Sequence, residues 1–351
     1  MDQSDGDRDK GDPTMTFAGL ATFASIFLVG SMLLTWVVLN YLRRKAILDM
    51  PNHRSSHAVP TPRGGGLAVT PLLILLVAGV FVFTGVSAVG DWLMLAACAG
   101  LGLLSWLDDR HDLSAAKRFA LQFVAVIIGM LALDKPVLGG LVPMWLDHVL
   151  VVLAWVWFIN LFNFMDGIDG ITGVEAGSIG LGIFVLTLFV PLPQFIGLGY
   201  IGLGILAIMI GFLIWNWHPA KLFLGDVGSI PLGFILGWLL LKVASEGAWA
   251  IALILPSYYL FDATFTLIKR ALQREKIWQA HREHFYQKAT QRGFSHARVS
   301  LMILVSNLIL IAVCFAQSDT PDWMRVIAAL IVVLGLVGMM VRMPVRETPG
   351  T

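Results

Sequence analysis

Charge is what this chain most lacks. Asp, Glu, Lys and Arg make up 13% of its 351 residues while hydrophobic residues reach 57%, and a soluble domain with that balance could not cover its own core. Cysteine is scarcer still, at two residues. Cys98 and Cys314 both fall in apolar runs, where a free thiol is a small apolar side chain, so no disulfide framework is read from them. A basic leader is also missing. The opening MDQSDGDRDKGD is acidic, which makes the first apolar run a retained anchor rather than a cleaved signal. No strict apolar and polar alternation marks barrel strands, and no inverted repeat of the transporter kind is visible. The net charge of +1 says little about partners; no nucleic-acid partner is expected.

Long apolar runs are present in abundance. A membrane-crossing helix needs about 20 mostly apolar residues. Such runs recur at 15–42, 66–88, 92–107, 119–134, 149–163, 173–191, 195–216, 229–243, 248–268, 299–317 and 322–342. The expectation is an all-α integral membrane protein of about eleven spans, with a polytopic domain over 15–342, a disordered tail at 1–14 and a short tail at 343–351. If the loops after odd-numbered spans share one side with the C-terminus, that side holds 19 of the 24 Lys and Arg residues. Positive charge collects on the cytosolic side. The N-terminus is therefore expected outside and the C-terminus in the cytosol. Seven of the eight histidines, all but His148, fall on the same side.

Four polar constellations gather there. The third span ends in WLDDRHD, with Asp108, Asp109 and Asp112 at a membrane boundary; clustered carboxylates stay ionised beside a divalent cation or a base, and Arg110, Lys117 and Arg118 could supply the base instead. The fifth span runs into NLFNFMDGIDG, where Asn160 and Asn163 precede Asp166 and Asp169. Amides can read a base or ribose edge, and the aspartates can accept from hydroxyls or bind metal, although a polar helix cap would use the same residues. The seventh span gives way to NWHPAKLFLGDVGS, in which Gly225 and Gly228 bracket Asp226 on a backbone suited to phosphate. Beyond the ninth span, where Asp262 is costly enough to be functional or paired, lies a basic segment. Its Lys269, Arg270 and Arg274 could hold lipid head groups or a diphosphate, and its His281 and His284, three apart in HREHF, would suit one helical face. The first cytosolic loop adds the PTPRGGG turn with Thr61 and Arg63.

In this order WLDDRHD, NLFNFMDGIDG, NWHPAKLFLGDVGS and HREHF resemble the bacterial polyprenyl-phosphate N-acetylhexosamine-1-phosphate transferases, glycosyltransferase family 4. These include the phospho-MurNAc-pentapeptide translocase and the starters of O-antigen. The resemblance spans roughly 15–342. It implies a UDP-N-acetylhexosamine donor, a polyprenyl phosphate acceptor and release of UMP. It also implies dependence on Mg²⁺, with Mn²⁺ able to substitute, in the bacterial cytoplasmic membrane, with the site facing the cytosol and a homodimer as a possible assembly. On this pattern Asp226 ligates the metal, and Asp108, Asp109, Asp166, Asp169 and His284 are catalytic. Asn160, Asn163, Asn216, Lys117, Arg118, Thr61, Arg63 and Arg282 bind substrate. One departure stands out. Where many members carry an HxHH-type run, His284 is followed by Phe285, Tyr286 and Gln287, which points away from the peptidoglycan precursor as donor and toward the O-antigen starters. Two other readings stay open: a UbiA-like prenyltransferase using DDRHD, which leaves the other motifs without work, and a proton-coupled transporter using Asp262, against which the edge siting of the acids argues.

Overall fold

The computed structural model describes residues 16–50, 59–85, 88–111, 114–190, 192–275, 281–316 and 320–342; the side chains of 109–111 are not described. Asp109 is thus placed only by its backbone, and Asp112 and both expected tails lie outside the described residues. In chain order the elements are α1 (Phe17–Arg44), a two-stranded ribbon of β1 (Leu48–Asp49) and β2 (Thr61–Pro62), α2 (Gly66–Thr84), α3 (Val89–His111), α4 (Ala115–Gly129), which continues as a 3₁₀ turn, and α5 (Met144–Phe164). Then come α6 (Ile171–Phe189), α7 (Pro193–Asn216), α8 (Asp226–Ser245), α9 (Trp249–Ile254), α10 (Ser257–Leu272), α11 (Phe285–Gln291), α12 (His296–Cys314) and α13 (Asp322–Arg342).

Among the described residues ten helices are long and apolar enough to cross a membrane. The all-α membrane architecture expected from hydropathy is present. The ninth expected span is the exception to one helix per run. It is split into α9 and α10 at Pro256, whose missing N–H and ring interrupt a helix ladder. Ends elsewhere follow local chemistry. Thr16 Oγ1 accepts from the Gly19 N–H at 3.2 Å to start α1, Arg43 and Arg44 face the negative end of its dipole, and Pro193 opens α7, where its missing N–H costs nothing.

Burial separates inner from outer helices. The apolar stretch of α8 is 83% buried and that of α1 only 22%. Large apolar side chains exposed on α1, including Ile26, Leu33 and Trp36, mark a lipid-facing surface. Inside, Trp155 of α5 stacks on Phe234 of α8 with centroids 4.8 Å apart. Helices α6 and α7 cross where a Cβ on Gly180 or Gly202 would stand 2.5 Å from the other's carbonyl oxygen, the close approach that small residues permit.

Candidate active site

The PTPRGGG turn and the LFLGDVGS segment build one wall together. Phe223 N–H donates to the Pro62 carbonyl at 2.9 Å, and the Gly65 and Gly66 N–H groups donate to the Phe223 and Leu224 carbonyls at 2.8 and 2.9 Å. Gly225 has φ +73°, a conformation glycine adopts without strain, and α8 starts at the next residue. Asp226 therefore sits in the first turn of a helix beside Arg63, whose Nη2 lies 2.6 Å from Asp226 Oδ1. Arg118 of α4 reaches in from the other side. Its Nη1 is 3.2 Å from Asp108 Oδ2 and 3.8 Å from Asp226 Oδ2. Two carboxylates 118 residues apart in sequence thus share one guanidinium.

Asp166, in the turn between α5 and α6, belongs to the same electrostatic group. Burial pushes its carboxyl up to about 6; the Thr172 hydroxyl, which donates to Oδ1 at 2.6 Å, and the Arg63 charge oppose that rise, and the Asp226 charge adds to it. Three carboxylates, Asp108, Asp166 and Asp226, thus gather around the guanidiniums of Arg63 and Arg118. Mg²⁺ fits such a place. It takes hard oxygen ligands, commonly one or two carboxylates completed by substrate phosphates and water, and Asp226 is partly open, with 17% of its side chain exposed.

A second centre lies at Asp169. Its Oδ2 is 2.6 Å from His218 Nδ1 and 3.2 Å from His296 Nδ1, and it accepts from the Ala220 N–H at 3.2 Å. Burial alone would raise this carboxyl. The contacts from His296, His218 and Ala220 outweigh it and hold Asp169 below the usual carboxylate range. Asn216 ties the two loops beside it, accepting from the Gly170 N–H at 3.0 Å and donating to the Leu222 carbonyl at 2.9 Å. Ser300 of α12 donates to the Asp169 carbonyl at 2.8 Å.

The other expected site residues have defined places. Asn160 donates to Gln122 Oε1 at 2.7 Å and Asn163 to Ser229 Oγ at 3.1 Å, so both amide N–H groups serve helix packing here. Thr61 is buried on β2 and donates to the Val59 carbonyl at 3.0 Å. Lys117 is exposed in the first turn of α4, and Arg282 is half-buried. His284 is buried with Nδ1 3.1 Å from Asp262 Oδ1. Asp262 itself is held by Tyr258, Thr266 and the N–H groups of Phe285 and Tyr286 at 3.0 to 3.4 Å, which fastens α11 to α10. That attachment lays Tyr286 over the DGIDG turn: its hydroxyl donates to the Phe164 carbonyl at 3.2 Å, and a Cβ on Gly167 would come within 2.2 Å of it.

Two expectations change. His281 and His284 do not share a helical face, because both precede α11. Arg270 does not stand ready for head groups; it is buried between Glu275 and Glu283 and pairs with both. The residues that sequence reasoning missed are His218 and His296. His218 stood inside the NWHPAKLFLGDVGS motif without a role, and His296 was visible only in the histidine bias toward one side; they lie 49 and 127 residues from Asp169 and no local spacing joins them.

Long apolar helices with carboxylates and guanidiniums gathered at their loop ends define a polytopic membrane protein with a charged candidate site at those ends. The sequence profile of glycosyl transferase family 4 matches residues 91–244. The chain is 30% identical over 262 residues to a phospho-N-acetylmuramoyl-pentapeptide-transferase of Chlamydia pneumoniae, covering 63% of this chain and 73% of that one. It is 26% identical over 323 residues to a probable undecaprenyl-phosphate N-acetylglucosaminyl 1-phosphate transferase of Bacillus subtilis, 87% of each chain. It is 28% identical over 300 residues to a decaprenyl-phosphate N-acetylglucosaminephosphotransferase of Mycobacterium tuberculosis, 74% of this chain and 73% of that one. The chain belongs to glycosyl transferase family 4.

Proposed function

We propose that this protein transfers an N-acetylhexosamine 1-phosphate from a UDP-sugar to a polyprenyl phosphate such as undecaprenyl phosphate, releasing UMP, at the cytosolic face of a bacterial cytoplasmic membrane. The observation that carries the reading is the shared position of Arg118 between Asp108 and Asp226, with Arg63 on the far side of Asp226. Guanidiniums are permanently charged and present donors in a fork that matches phosphate oxygens. Two of them beside carboxylates suit a reaction that brings two anions together. The activities named for the relatives agree with it.

In this reaction an oxygen of the lipid phosphate bonds to the sugar-bearing phosphorus of the donor. The bond from that phosphorus to the bridging oxygen breaks, and UMP departs with the electron pair. Mg²⁺ held at Asp226, with Asp108 or Asp166 nearby, would offset charge on the diphosphate. Arg63 and Arg118 leave the carboxylates to clamp phosphate oxygens, and Asp108 takes any residual proton from the acceptor. The acceptor phosphate is already anionic near neutral pH, so alignment contributes more than a strong base, and direct attack is preferred to a covalent phosphosugar on Asp108 or Asp109.

The donor is a small UDP-HexNAc, and the pathway one of O-antigen type. Tyr286 occupies the space over Gly167 where the motif of other members would continue in imidazoles. Mass-spectrometric product analysis of the purified protein with undecaprenyl phosphate and a panel of UDP-sugars tests this. A lipid diphosphate sugar and UMP should form from at least one UDP-HexNAc. Robust transfer from UDP-MurNAc-pentapeptide would overturn the donor assignment, and no UMP from any donor would overturn the activity.

A further inference from the structure

We propose that Asp169, His218 and His296 form a second divalent-cation site, for a borderline transition ion of the Zn²⁺ class rather than for Mg²⁺. One ligand atom of each residue lies within 4.8 Å of those of the other two. They come from three separate elements: the turn before α6, the loop between α7 and α8, and the first turn of α12. Two imidazole nitrogens and one carboxylate oxygen are a donor set that Zn²⁺, Co²⁺ and Ni²⁺ accept and that Mg²⁺ disfavours.

Convergence alone would be met by hydrogen bonding, but the bonding here conflicts with itself. His296 Nδ1 lies 3.3 Å from the Asp169 N–H, which donates to it, and 3.2 Å from Asp169 Oδ2, which accepts. A ring nitrogen has one in-plane position, holding either a proton or a lone pair. With a lone pair it faces the carboxylate's lone pairs; with a proton it faces the backbone proton. On the same carboxylate, Oδ2 is approached by His218 Nδ1 and the Ala220 N–H as well. A cation among the three ligand atoms offsets the lone-pair repulsion between Nδ1 and the carboxylate, in competition with the Asp169 N–H for the Nδ1 lone pair. Access is provided by His218, whose side chain is 37% exposed beside buried Asp169 and His296, so water or an anionic oxygen can complete the coordination.

The inference does not rest on the transferase reading, and its test reads metal, not turnover. The full-length protein, purified without a histidine tag and stripped with chelator, is titrated with Co²⁺ in millimolar Mg²⁺ while visible absorption and bound metal per chain are measured. The expected result is one nitrogen-ligated Co²⁺ per chain, displaced by Zn²⁺. Its Kd should rise at least about 10-fold in His218→Ala and His296→Ala and stay unchanged in Asp226→Asn. Zn²⁺ should also raise the unfolding temperature of the unsubstituted protein but not of either histidine variant. His218→Asn, which keeps a side-chain N–H for Asp169, separates loss of metal from loss of fold: it should be monodisperse and still bind Co²⁺ weakly. Absence of stoichiometric Co²⁺ in Mg²⁺, or binding that is unaltered in both His218→Ala and His296→Ala, would overturn the proposal.

Discussion

Asp226 and Asp169 both stand at the loop ends of this bundle, yet their partners differ in kind. Asp226 faces two guanidiniums, which carry permanent charge and no lone pair. Asp169 faces two imidazoles, which can be neutral and donate lone pairs. The first set can be lent to an anion, because an arginine released from a carboxylate is ready for a phosphate. The second can be lent to a cation. Two carboxylates of one sequence style, each bracketed by glycines, are thus given partners of different kinds by what the rest of the chain brings to them.

Asp226→Asn should have the largest effect. Removing the carboxylate that faces both guanidiniums is expected to lower kcat by at least about 10²-fold, from lost charge stabilisation, in steady-state UMP release with saturating Mg²⁺. Near-normal turnover would remove Asp226 from the metal set. Next is Gly167→Ala, whose Cβ would meet the Tyr286 hydroxyl at 2.2 Å. Displacing the turn that carries Asp166 and Asp169 should lower kcat/KM by about 10-fold, since small misplacements are costly in catalysis. Adding Tyr286→Phe should restore part of it, and a double variant no better than the single one would mean that the clash lies elsewhere.

The smallest effect concerns pH. If Asp166 acts ionised beside the proposed Mg²⁺, activity should rise with pH through about 6. Because the folded-state carboxyl is raised, its contribution to stability runs the other way: present below the unfolded value and lost as pH rises through about 6. Thr172→Val, which removes a bond to the ionised form, should move the acid limb upward, and Mg²⁺ should move it downward. An acid limb that neither change moves would assign it to another group.

Much of the fold was legible because a bilayer imposes long apolar runs, and the runs read from hydropathy correspond to helices. Hydropathy does not register a break inside an apolar segment, so the split at Pro256 had only the proline itself as its signal. The site was legible as polar residues at span ends, where such groups are costly. Its pairings were not. Arg63 meets Asp226 across 163 residues, and His296 meets Asp169 across 127. Asp262 shows the boundary between the two kinds of knowledge: its cost inside a span announced that it must be functional or paired, but only the three-dimensional arrangement reveals that its partners are Tyr258, Thr266, His284 and the start of α11.

In the proposed reaction the guanidinium-faced centre aligns a lipid phosphate and a donor diphosphate for direct transfer. Isotope exchange between labelled UMP and the UDP-sugar, in purified protein depleted of lipid, tests it most directly. Direct attack predicts no exchange until polyprenyl phosphate is added. Clear exchange without lipid, abolished by Asp108→Asn or Asp109→Asn, would show instead that an aspartate carries the phosphosugar as a covalent intermediate.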